Sequence, residues 1–298
     1  MDRRQFVLAA AAAPFALRRP PHPMAFVTAD SESHVAVVDL TTGAVLRRIH
    51  THPGPRSVER VGELTVVGHS GTGPVSVLDA HRVRHVLEGF EEPRYTAAAR
   101  DGRHAFVSDS GRADLATVDV VRGVVVARLK LRQWPRHLSL SPDGTTLFVS
   151  LGTASREIAV VDVRDPARLV LQRTLRPPFL AHDVGVSPAG RVWITAGEAP
   201  TISAHGRVLE ADAAPQHVTF AAGRAFVTSG AAGTLRVYDE ASTRLLRVTA
   251  ITGGSYNVQR SAGRVITPSL ASGTLSVADA HGRLRERVHV ASSCHDAA

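Results

Sequence analysis

The chain of 298 residues has one cysteine, Cys294, one lysine, Lys130, and only 5% aromatic residues. A single thiol excludes an intramolecular disulfide, so stability must come from an apolar core, and a chain of this length can bury a large one. Scarce aromatics remove the stacking platforms that single-stranded nucleic acid requires; Tyr95 and Tyr256 are the only suggestive ones. No run of 18 or more apolar residues occurs, so there is no conventional helical membrane span. A Gly-x-Ser-x-Gly elbow, a Cys-x-x-Cys-His haem attachment and a phosphate-binding loop are also missing, which argues against common hydrolase, cytochrome and nucleotide-dependent roles.

What the chain does contain is a periodic aspartate. Asp39, Asp79, Asp119, Asp162, Asp239 and Asp279 close short apolar strands and are separated by 40, 40, 43, 77 and 40 residues. A fixed period near 40 marks a repeat architecture. The 77-residue step spans two units, one of which, around Thr201-Ile202-Ser203-Ala204, has lost its aspartate. In phase with this beat run strands such as Phe26-Val27-Thr28, Phe106-Val107-Ser108, Phe148-Val149-Ser150 and Phe226-Val227-Thr228, each ending in a small polar residue. All but the first are preceded by a segment of the type Pro55-Arg56-Ser57-Val58 or Pro135-Arg136-His137-Leu138, and turns such as Ser141-Pro142-Asp143-Gly144 join the two. Proline presets φ and glycine supplies positive φ at such turns. A fourth strand follows each aspartate, as in Val124-Val125-Val126-Ala127-Arg128-Leu129. Four short strands in about 40 residues is the propeller-blade pattern.

The expected fold is therefore an all-β, seven-bladed propeller of four-stranded antiparallel blades covering residues 20–298. The first unit lacks its Pro-Arg-x-Val segment, and Cys294-His295-Asp296-Ala297 is a candidate to supply it, pairing with the N-terminal blade and sealing the ring against open sheet edges. The repeated aspartates are expected to cap the turns between third and fourth strands rather than to take part in chemistry. The stretches Val37-Val38-Asp39-Leu40-Thr41-Thr42-Gly43-Ala44-Val45 and Leu138-Ser139-Leu140-Ser141-Pro142-Asp143-Gly144 resemble the repeat of the YVTN β-propeller family. The resemblance covers nearly everything after residue 24. It implies the propeller fold and is weak for function: members include surface and periplasmic proteins of unassigned role, and related propellers include lactonases, a lyase and copper- or haem-bearing enzymes.

The N-terminal segment reads differently. Asp2-Arg3-Arg4-Gln5-Phe6 leads into an alanine-rich apolar stretch, so residues 1–19 read as a secretory signal whose paired arginines resemble the twin-arginine export motif. The expected location is periplasmic, cell-envelope or secreted. The net charge of +8 and the pI of about 10.9 raise nucleic acid or another anionic polymer as a partner. The charge is almost entirely arginine and is scattered along the chain, as on a solvated surface.

Candidate site residues come from superposing the units. In a blade, the start of the inner strand and the loop after the second strand share one face around the central channel. The second inner-strand positions are Arg56, Arg94, Arg136, His182, Gln216, Tyr256 and His295, and the third are Ser57, Tyr95, His137, Asp183, His217, Asn257 and Asp296. Arg56, Arg94, Tyr95, Arg136, Gln216, Tyr256 and Asn257 are candidates for binding a ligand, since arginine pairs with carboxylate or phosphate in bidentate fashion. His137, His182, Asp183, His217, His295 and Asp296 form a candidate metal set, suited to Zn or Cu. Asp30, His34, His69, Asp109 and Glu198 on nearby loops, and Cys294 beside His295, are lesser candidates. The leading expectation is an exported binding module for a small ligand or a protein, acting through this channel-mouth face without catalysis. A metal-dependent lactonase- or lyase-like enzyme is the alternative, with Asp183 or Asp296 as ligand or general base and Arg136 as substrate clamp. Binding of an anionic polymer such as nucleic acid comes third.

Overall fold

The computed structural model describes residues 23–71, 73–152 and 156–298, so residues 1–19, read from the sequence as a secretory signal, lie outside the described residues. The chain folds as a seven-bladed all-β propeller. Six blades are four-stranded antiparallel sheets with strands in chain order, and blade one contributes three strands, Met24–Ala29, His34–Asp39 and Val45–His50. From blade one to blade seven, the innermost strand of each blade touches that of the next. The core is a ring of inter-blade interfaces: Val61, Val66, Val75 and Val77 of blade two pack on Ala105, Val107, Ala116 and Val118 of blade three, and every other interface is built alike. Second and third strands are covered on both faces, which is why they read as unbroken β-branched runs. Fourth strands such as Val170–Leu175 are largely exposed.

The C-terminus closes the ring as expected. Phe26 and Ala298 exchange two backbone hydrogen bonds of 2.8 and 2.9 Å, and Thr28 N–H donates to the Asp296 carbonyl at 2.9 Å while His295 N–H donates to the Thr28 carbonyl at 3.2 Å. Cys294 and Ala297 are fully buried among Val27, Ile266 and Leu275 in the seam between blades seven and one. Burial pushes the Cys294 thiol up to about 12, so it is a packing residue.

The aspartates cap turns. Asp39 Oδ1 accepts the Thr41 N–H at 2.7 Å, Asp79 that of His81 at 2.7 Å, Asp119 that of Arg122 at 3.0 Å and Asp279 that of His281 at 2.8 Å. Blade five shows why its aspartate is missing. Its third strand, Thr201–Ala204, turns into its fourth, Arg207–Glu210, through His205 and Gly206 alone. Both have positive φ, 52° and 74°, the requirement of a type I′ hairpin. With two residues in the turn there is no loop for an aspartate to cap.

Deleting residues 294–298 removes the four closing hydrogen bonds and the buried side chains of Cys294, Asp296, Ala297 and Ala298. At about 1 kcal/mol per bond, the expected result is a fall in Tm of roughly 10 °C, with self-association through the bared edge of blade one. Thermal unfolding and gel filtration check this; an unchanged Tm in a monodisperse truncated protein would contradict it.

Candidate functional site

The inner strands are kinked where the candidate residues lie. In blades two, three, four and six the pairing of inner with second strand slips by one residue just after the leading proline, between Pro55 and Ser57, Pro93 and Tyr95, Pro135 and Leu138, and Pro215 and Val218. A bulge sets two residues against one and re-aims their side chains. The hydroxyl ending the second strand fills the gap. Ser150 Oγ accepts the His137 N–H at 3.1 Å and donates to the His182 carbonyl of the next blade at 3.0 Å. Thr195 Oγ1 accepts the Asp183 N–H at 3.1 Å and donates to the Gln216 carbonyl at 2.6 Å. Thr28 does the same between Asp296 and the Arg56 carbonyl, at 2.9 and 3.3 Å. In blade seven the inner strand begins only at Gln259. The stretch Ser255-Tyr256-Asn257-Val258, read from the sequence as part of that strand, runs outside the ladder, with Asn257 Oδ1 accepting the Val258 N–H at 2.7 Å.

Three of the four candidate imidazoles converge. One ring nitrogen each from His137, His182 and His217 lies within 4.8 Å of the other two. The His137 ring centroid is 4.7 Å from that of His182 and 4.3 Å from that of His217, and Tyr95 backs His137 at 3.8 Å. His137 Nδ1 donates to the His182 carbonyl at 2.6 Å, which leaves an Nε2 lone pair that is buried and has no hydrogen-bond partner among the described residues. Asp183 Oδ2 stands 3.4 Å from His217 Nδ1. A carbonyl or carboxylate behind the ring is the usual way a ligating imidazole is oriented. Burial first, then the neighbouring His217, holds His137 and His182 well below the ordinary histidine range, so both are neutral at pH 7, the form that ligates. Room for His182 depends on Gly197: a Cβ there would sit 2.6 Å from that of His182, and its φ of +78° disfavours any side chain.

The remaining candidates lie around this group. His295 turns away, its Nδ1 donating to the Arg56 carbonyl at 3.0 Å. The aspartates serve the backbone. Asp183 accepts the N–H groups of Val184 and Val218 at 2.7 and 3.0 Å, and Asp296 those of Ala297 and Val58 at 2.8 and 2.9 Å together with the Asn257 amide. Gln216 donates to the Gly197 carbonyl at 3.1 Å, Arg94 pairs with Glu92 at 2.8 Å, and Tyr256 is 37% exposed at the rim. The loop candidates do not reach the imidazoles. His69 is fully buried against Ser76 Oγ at 2.9 Å, the Asp109 carboxylate caps the N–H groups of Glu91 and Glu92, and His34 faces Glu32. Asp30 caps Ser31 in its own turn, and Glu198 is exposed in the loop after Thr195.

Below the third positions the channel opens into a cavity of about 580 Å³. Its wall includes Tyr95, His137, Asp183, His217, Asn257 and Asp296, then the fifth inner-strand positions Glu59, Ala97, Ser139, Gly185, Thr219 and Gln259, and it ends near Arg100 and Arg260 on the opposite side of the disc. The second positions do not line it. The imidazoles thus sit between the arginine-bearing mouth and a carboxyl-bearing channel. Glu59 escaped the sequence reading, although alternation along a strand places the fifth position on the same face as the third. Burial, reinforced by Asp296, pushes the Glu59 carboxyl up to about 8, and burial raises Asp296 to about 6.

Between pH 4.5 and about 8 folded Glu59 holds a proton that the unfolded chain releases, so stability falls as pH rises through that window and levels off above it. The expected slope is up to about 1 kcal/mol per pH unit. Glu59→Gln, which keeps the shape, removes this contribution. Urea unfolding at several pH values measures it, and an E59Q protein with the wild-type slope would contradict it.

No family model and no curated protein matches the chain. Solved structures do. Hydrazine synthase of Kuenenia stuttgartiensis superposes with a TM-score of 0.73 at 18% identity, over 92% of this chain and 99% of that one. A functionally unknown protein from Desulfotomaculum acetoxidans gives 0.81 at 10% identity, over 93% and 98%, and a protein from Lactobacillus plantarum 0.72 at 13%, over 93% and 98%. At such identities the likeness concerns the fold: over nearly its whole length the chain is similar to other β-propellers.

Proposed function

We propose that the protein is an exported propeller that binds a transition metal, Zn or Cu, through His137, His182 and His217 and presents it to a small ligand at the channel mouth. The observation that carries this reading is the buried, unpartnered Nε2 of His137 beside two further imidazoles within 4.8 Å. An orphaned buried nitrogen costs roughly 1–3 kcal/mol, and a metal-free binding face offers no reason to retain it. Three imidazole nitrogens fit either ion, and three protein ligands leave a position open. A bound ion supplies Lewis acidity there. The chain's own residues do the rest: the His182 carbonyl and Asp183 orient the rings, Tyr95 and Asp183 shield them on the channel side, and the arginines give the mouth a positive field. Whether such a site only binds or also hydrolyses or cleaves its ligand depends on that ligand. The Arg3-Arg4 pair supports export of the folded, loaded protein.

Protein purified through no polyhistidine tag is expected to carry about one equivalent of Zn or Cu, or to gain thermal stability on adding either. His137→Ala and His217→Ala each abolish this. Less than about a tenth of an equivalent, together with no thermal shift, would overturn the proposal. With its own N-terminus, the protein is expected in the exported fraction, and replacing Arg3 and Arg4 by lysine should retain it in the cytoplasm; unchanged fractionation would count against export.

A further inference from the structure

Two arginines at the mouth lack a counter-charge. Three other part-buried guanidinium groups are matched: Arg236 by Asp212 at 2.6 Å, Arg128 by Asp114 at 2.8 Å and Arg94 by Glu92 at 2.8 Å. Arg136 is only 6% exposed and Arg56 is half-buried, yet among the described residues neither has a carboxylate within ion-pair distance, and the Nε of each is buried without a hydrogen-bond partner. Arginine cannot escape this by losing its proton. A buried charge left unpaired is among the most costly arrangements in a protein. The groups facing the two arginines give no relief. Their positive charge helps hold His182 neutral, and Arg56 with Arg94 does so for His295. The Trp134 ring offers its face to Arg136 at 5.7 Å and to Arg94 at 5.3 Å. This steadies the two side chains but supplies no anion. Asp183 and Asp296 lie one layer deeper, committed to backbone N–H groups.

We propose that Arg136 and Arg56 form an oxyanion site that takes the carboxylate or phosphate group of a small molecule, held over the three imidazoles. Planar forks with a free Nε suit bidentate recognition of such groups. The Trp134 shelf keeps Arg136 in place, so little side-chain freedom is lost on binding. The anion site stands on the arginines alone, and its alignment with an open metal position rests on the metal reading above. Together they define the ligand: a small acid with a second donor atom near its anionic group.

The test uses the full mature protein stripped of metal by chelator, with inorganic phosphate and acetate as separate probes at ionic strength held constant with sodium chloride. A saturable rise of Tm with at least one probe is expected, and the stronger probe identifies phosphate or carboxylate as the group recognised. Arg136→Met should weaken that binding by roughly tenfold or more, and Arg56→Met provides the same reading should the first variant fail to fold. Arg47→Met, on the exposed outer strand of blade one, should respond like the wild type, which separates a site from general screening. No saturable rise with either probe, or an undiminished rise in the folded arginine variants, would overturn the proposal. Metal content of the untreated wild type is measured in parallel, so absence of an anion response in wild-type protein that binds metal overturns only the oxyanion site, and an anion response in wild-type protein that binds no metal overturns only the metal reading.

Discussion

One hydrogen-bonded link holds this ring together: the hydroxyl that ends a second strand, buried between its own inner strand and the next. It accepts an N–H freed by the bulge and donates to a carbonyl of the neighbouring blade, as Ser150 does between His137 and His182. A net hydrogen bond is worth only about 1 kcal/mol, but a buried N–H or carbonyl left without a partner costs more than that bond gains. In blades three, four and six the bulge is accompanied by a hydroxyl, whereas blade two has the bulge with Gly68 at that place and blade five has the Thr195 link without a register shift; a bulge re-aims consecutive side chains toward the mouth and the channel. Thr28 makes the same link across the closing seam to Asp296. Ring closure and the geometry of the site thus depend on one device.

That device also sorts charge into layers. Guanidinium groups occupy the second positions of blades two to four, His182 that of blade five with His137 and His217 at third positions beside it, and Asp183, Asp296 and Glu59 face the channel. Each layer adjusts the one next to it. Burial and the arginines keep the imidazoles unprotonated, and the proximity of Asp296 adds to burial in keeping Glu59 protonated. A sheet of uncharged nitrogen donors between a positive mouth and a weakly acidic channel is disposed to take a cation at its own level and an anion above it.

Much of the frame was legible beforehand. The blade count, the turn-capping aspartates, the shortened fifth unit and the returning C-terminal strand all follow from local rules: hydrophobic alternation, turn residues and a steady period. The meeting of His137, His182 and His217 was legible to the extent that the second and third inner-strand positions of successive blades all gather around one channel mouth. Less legible was the fate of His295, Asp183 and Asp296, which share that phase but turn to backbone groups. Glu59 and Trp134 were missed for opposite reasons. Glu59 sits two residues beyond the phase under scrutiny, and Trp134 looks like a loop aromatic until two arginines stack on it.

By itself, the amino-acid sequence determined the repeat, and through the repeat the ring, because the period and the strand pattern are properties of neighbouring residues in the chain. Only the tertiary structure decided which side chains at equivalent positions remain available to a ligand. That choice turns on hydrogen bonds between residues as far apart as Val58 and Asp296, and on whether a buried lone pair or guanidinium finds a partner. Such matters are settled across blades, where period and pattern carry no information.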